Sequence, residues 1–81
     1  MTTQQPVWVT QEDGTSIYTL GDRVMGRLSQ ADDLWVTEIP LMKTGKVRFT
    51  KDEWLTEAAA RNFVEQNAAM KLENERLRAG L

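Results

Sequence analysis

The chain has 81 residues, with ten Lys plus Arg against twelve Asp plus Glu, a formal charge of −2, and neither Cys nor His. That removes disulfide frames, thiolate nucleophiles, zinc fingers, imidazole ligands and triad bases. No apolar run approaches the ~18 residues of a membrane span. The start Met1-Thr2-Thr3-Gln4-Gln5-Pro6 lacks the basic region and apolar core of a signal peptide, so a small cytoplasmic protein is expected, residues 1–81 forming one domain.

Val7 to Thr10 is β-branched and aromatic, Glu12-Asp13-Gly14 is a turn tripeptide, and Ile17-Tyr18-Thr19-Leu20 is a second apolar run. This pattern is a hairpin signal. A three-residue loop with Gly14 in the left-handed region pairs Val9 with Ile17 and Trp8 with Tyr18. A two-residue Asp13-Gly14 turn shifts that register by one, and the choice stays open.

Gly21-Asp22 reads as a turn. From Asp22 to Leu28 the residues alternate, with Val24, Gly26 and Leu28 on one face and Arg23, Met25 and Arg27 on the other. Ser29 to Asp33 reads as a polar turn. Leu34 to Leu41 is a further strand, with Trp35, Thr37, Ile39 and Leu41 on one side. Lys43-Thr44-Gly45 as a three-residue loop would pair Leu41 with Val47 and Ile39 with Phe49, leaving Lys46 and Arg48 on the face of Glu38 and Pro40. Pro40 has no N–H for a ladder, which places its strand at an edge or bends it there.

Thr50-Lys51-Asp52-Glu53 fits a capping box, with Thr50 as N-cap, and no Pro or Gly lies between Lys51 and Ala79. A helix over 51–79 is expected, ended by Gly80. It would span roughly 43 Å at ~1.5 Å per residue, against a radius of gyration of about 12 Å for a domain of this size. Trp54, Leu55, Ala58, Ala59 and Phe63 have the spacing of a stripe buried on a sheet. Beyond them Phe63, Asn67, Met70, Asn74 and Leu77 follow the four–three alternation of a coiled-coil seam, which points to a homodimer or a partner-docking helix. The competing reading is a helix that bends back over its own sheet or frays near its end.

The expected fold is therefore α+β: a small antiparallel sheet of four or five strands followed by one long C-terminal helix. Net charge is −1 over residues 1–49 (five basic, six acidic) and −1 over 50–81 (five basic, six acidic). Neither part carries the basic footprint of a nucleic-acid binder, so Lys43, Lys46, Arg48 and Lys51 read first as a solvated face. The alternative is a phosphate-contacting wing. Gly45-Lys46-Val47-Arg48-Phe49-Thr50-Lys51-Asp52-Glu53-Trp54-Leu55 resembles the wing strand and following helix of excisionase-type winged-helix proteins. That resemblance implies a DNA-binding regulator, although no helix-turn-helix is legible before it. Gly21-Asp22-Arg23-Val24 is similar to the turn that leads into a strand of small SH3-like barrels; an ordinary turn explains it equally.

No catalytic constellation stands out. Asp32-Asp33 are adjacent, Ser16 and Ser29 have no His to act as base, and Lys43-Thr44-Gly45-Lys46 lacks the glycine spacing of a phosphate loop. No catalytic residue, cofactor or metal is implied. Three tryptophans can seed a core or anchor an interface. Candidate partner-binding residues are Trp8, Trp35, Arg23, Arg27, Lys46 and Arg48; candidate oligomerisation residues are Phe63, Asn67, Met70, Asn74 and Leu77. The function these point to is a non-enzymatic protein-binding module. In style the chain resembles phage and mobile-element accessory proteins that inhibit or redirect host machinery. A small structural or assembly subunit is a further class. A protein partner is expected, a nucleic acid is less favoured, and no membrane is implied.

Overall fold

The computed structural model describes residues 5–43 and 46–80, and the side chains of all of these except 42, 43, 46 and 47. Five strands run in chain order, β1 (Val7–Thr10), β2 (Ser16–Leu20), β3 (Arg23–Ala31), β4 (Leu34–Lys43) and β5 (Lys46–Trp54), followed by α1 (Glu57–Ala79). The strands form one antiparallel sheet in the order β1-β2-β3-β4-β5. The α+β architecture is thus a five-stranded meander with one long C-terminal helix, and the helix packs on β3, β4 and β5.

The first hairpin has the three-residue loop. Val9 pairs with Ile17 and Trp8 with Tyr18, and the Gln11 amide closes the loop on the Thr15 carbonyl at 2.8 Å. Gly14 has φ +90, a region that a side chain would strain. The Asp13 carboxylate accepts from the Thr15 amide at 2.9 Å, which holds its pKa below the ordinary value. The β3–β4 turn is shorter than the sequence suggests: strand pairing continues to Ala31 and Leu34, so Asp32-Asp33 alone make the turn, Asp32 at φ 55.

Alternation along β3 breaks at Met25. Tyr18 pairs with Gly26 and Thr19 with Val24, so Met25 is the extra residue of a β-bulge. Val24 therefore does not share a face with Gly26 and Leu28, as strict alternation required. Met25 is 1% exposed instead of facing outward with Arg23 and Arg27.

The second hairpin departs from the expected register by one residue. Ile39 pairs with Thr50, Leu41 with Arg48 and Lys43 with Lys46. The expected Lys43-Thr44-Gly45 loop tip falls at residues 44 and 45, outside the described residues. A one-residue slip exchanges the faces of a whole strand. Here it moves Trp54 onto the helix side, directly opposite Trp35. There the Trp54 indole N–H donates to the Thr37 hydroxyl at 3.0 Å, and the ring packs on Phe63 with centroids 4.9 Å apart.

The helix starts later than the capping box implies. Lys51 to Trp54 pair with Glu38 to Trp35, so tertiary pairing overrides the local cap signal at Thr50. The N-cap is Thr56, whose hydroxyl accepts from the Ala59 amide at 3.2 Å. Gly80 ends the helix, its amide donating to the Arg76 carbonyl at 3.0 Å. The 23 residues of α1 span roughly 34 Å. The overall radius of gyration is 13.5 Å.

The buried helix stripe is Ala60, Val64 and Ala68, not Leu55, Ala58 and Ala59, which are exposed. Starting the helix at Glu57 leaves Leu55 in the connection, where it is 83% exposed. Ala60, Val64 and Ala68 recur at four-residue intervals, as a sheet-facing stripe must. Small residues suit this stripe because β3 approaches closely at Gly26. Together with Met25, Leu28, Val36 and Ile39 they form the core, and Thr37 is the fully buried polar residue among them. Residues 73–80 are all exposed. Truncation after Leu72 should therefore leave a cooperatively folding protein with a thermal midpoint close to that of the full chain; loss of the cooperative melt would show that the tail is core.

Candidate functional site: a groove between splayed strands and the helix end

Pairing of β3 with β4 stops at Arg27 and Glu38. Two features stop it. The bulge at Met25 redirects β3, and Pro40 offers no N–H to a neighbour. Pro40 thus sits in a central strand, neither at a sheet edge nor opposite a β3 partner, at the point where β4 diverges from β3. Beyond that point the strands splay, and a groove of about 580 Å³ opens between them and α1. Its apolar floor is Val24, Pro40, Leu41 and Phe49; its helix wall is Lys71, Asn74, Glu75 and Arg78; Arg23 stands at its side.

Two polar contacts tie the helix end to this opening. The Lys71 ammonium donates to the Pro40 carbonyl at 2.7 Å, a carbonyl for which β3 offers no ladder partner. The Arg23 guanidinium makes a two-pronged pair with the Glu75 carboxylate, one prong at 2.7 Å. This hydrogen bond holds the Glu75 pKa below and the Arg23 pKa above their ordinary values. Both side chains are 44% exposed, so the pair contributes well under 1 kcal/mol. The sign follows from the lowered carboxyl pKa: the contribution is complete above the ordinary glutamate range and is lost as pH falls through the lowered value. A Glu75→Gln variant should be marginally less stable than the wild type at neutral pH. The two should converge in strong acid when urea unfolding is compared across pH.

The candidate partner-binding residues do not form one site. Arg23 is in the groove. Trp8 is half-buried, its ring tilted at 39° against Tyr18 with centroids 4.8 Å apart, and its indole N–H donates to Glu65 at 2.9 Å. The Arg61 guanidinium lies 4.7 Å from its ring centroid, so Trp8 fastens β1 to the helix. Trp35 is half-buried beside Trp54. Arg27 lies over the Phe49 ring at 4.4 Å. Arg48 is exposed on β5 opposite Leu41, not on the face of Glu38 and Pro40. Lys46 closes the hairpin opposite Lys43, and its side chain lies outside the described residues.

The candidate seam is divided as well. Phe63 packs on Trp54, Asn67 is half-buried, and Asn74 lines the groove. Met70 is 65% and Leu77 55% exposed. At about 100° per residue these two sit on the flank next to Asn74, one turn before and one turn after it. What the sequence reading missed is the polar continuation of the buried stripe. Ala60, Val64 and Ala68 lead on to Lys71, Glu75 and Arg78 at spacings of three and four, which places all six on the sheet side. Hydrophobic periodicity cannot detect a stripe once it turns charged.

Neither protein-family models, curated proteins nor solved structures yield a match to this chain. Among the described residues, no helix is long and apolar enough to cross a membrane.

Proposed function

We propose that this protein is a non-enzymatic protein-binding module. It acts by occupying a surface of its partner, in the manner of an inhibitor or modulator of a larger complex such as phage-type accessory proteins provide. One observation carries the reading. An open groove whose floor exposes Leu41 and Phe49, at 42% and 43%, adjoins a helix flank that exposes Met70 and Leu77. Exposed apolar side chains grouped around a concavity and rimmed by charge mark a binding surface, whereas scattered single ones do not.

The test is capture from a lysate of the source cells by tagged protein, with Met70→Asp and Leu77→Asp variants in parallel. Both positions are exposed, so the variants keep the fold, as circular dichroism would confirm. A specific partner retained by the wild type and lost by both variants supports the module. An identical set captured by all three contradicts it, as does salt-sensitive, sequence-specific binding to duplex DNA, which would favour a regulator of the excisionase kind.

The same exposed pair also supports a second form, pairing of two copies through the Met70 and Leu77 flank. Light scattering at high micromolar concentration distinguishes them: a strict monomer removes the homodimer and leaves the partner-docking helix.

A further inference from the structure

We propose that the groove takes an extended segment of the partner in which apolar side chains alternate with carboxylates. This inference rests on the module reading and adds the chemistry of the occupant. Charge supplies the first argument. Arg23, Lys71 and Arg78 face the groove against one carboxylate, Glu75, so its wall carries a formal +2 on a chain whose formal charge is −2. Among the described residues no carboxylate pairs with Arg78, and the Lys71 ammonium is held by a carbonyl oxygen, not by an anion. Both retain charge for an incoming acid.

Backbone geometry supplies the second argument. Past Glu38 the β3-facing side of β4 has no partner strand; Pro40 itself offers no N–H and its carbonyl is held by Lys71, so an extended peptide would lie along this opening chiefly through its side chains. In an extended peptide, successive side chains point to opposite sides. One set would meet Val24 and Phe49, on the face of the sheet away from the helix; the other would meet Leu41 and the cationic helix wall. A volume of about 580 Å³ holds a few side chains and not a helix of about 10–12 Å diameter. A nucleic acid would carry a long line of phosphates against a chain of net negative charge and few exposed aromatic rings. A short acidic peptide needs only the local cations.

Fluorescence anisotropy with labelled nine-residue peptides tests the proposal. The probes are alternating Leu/Glu, alternating Leu/Lys and alternating Ser/Glu peptides, with a labelled DNA duplex beside them. The full chain is compared with Arg78→Glu and Lys71→Met. The Leu/Glu peptide should bind saturably, at least about tenfold more tightly than the other probes, and each variant should weaken it by about tenfold. Absence of saturable Leu/Glu binding, equal binding of Leu/Lys, tighter binding of the duplex, or indifference to both variants would overturn it. The lysate capture separates the two levels. If capture still depends on Met70 and Leu77 while the peptides fail, the occupant is wrong and the module stands; if both fail, the module falls too.

Discussion

Gly26→Ala should destabilise the protein by about 1–3 kcal/mol, the cost of overpacking a closed core. A methyl at this position would lie 2.6 Å from Val64 Cγ1 and 3.2 Å from Ile39 Cδ1. Val64 is fully buried and β-branched, so its χ1 cannot swing aside cheaply. Without that contact, Gly→Ala in a strand would gain about 0.4–1 kcal/mol by restricting the unfolded chain; the clash decides the sign. The check is the urea midpoint at unchanged m-value, with Val64→Ala as partner. Loss of the Cγ atoms makes room, so the double variant should be more stable than the sum of the single effects implies. A neutral Gly26→Ala, or strict additivity with Val64→Ala, would mean that α1 does not rest on β3 here.

Trp54→Ala should cost about 3 kcal/mol, the lower end of the range for losing a large aromatic, because Trp54 is only half-buried. Three contacts go at once: the packing on Phe63, the place opposite Trp35 and the indole donor to Thr37. Thr37 is 0% exposed, so its hydroxyl oxygen would be left without that donor in the core. Trp54→Phe keeps most of the packing and should show that polar loss, about 1–2 kcal/mol. Thermal or urea unfolding reads both. Under the alternative register, with Ile39 opposite Phe49, Trp54 would lie on the other face, and Trp54→Phe would be nearly silent.

These two positions also mark the limit of what was legible in the sequence. The alternation of short β-branched runs, the turn glycines and the Pro-free, Gly-free C-terminal stretch specify the meander and the helix. Gly14 even supports the observed register of the first hairpin. The second hairpin reads one residue out of register because pairing Ile39 with Phe49 is locally self-consistent; what selects the observed register is the fit of Trp54 to Thr37 and Phe63, a contact across the fold. The same contact explains the helix start. Thr50 to Glu53 satisfies a capping box locally, but ladder bonds to β4 outweigh it.

The groove was the least legible part. It arises from one extra residue, Met25, and one missing N–H, at Pro40. An inserted residue leaves no trace in hydrophobic alternation except a buried methionine on the face read as polar. Pro40 did signal an interruption, and the structure resolves it as the end of β3–β4 pairing. Arg23, a candidate from the sequence, lines the groove; Lys71, Glu75 and Arg78, which line it too, were hidden in an apparent coiled-coil pattern.

Site-specific photocrosslinking in the source cells tests the central claim most directly. A photoreactive side chain at Asn74, on the groove wall, is compared with one at Glu53, on β5 opposite Val36. The expected result is a discrete crosslinked partner from position 74 and none from position 53. A crosslink from 53 with none from 74 would place the binding surface on the other side of the sheet and contradict the groove.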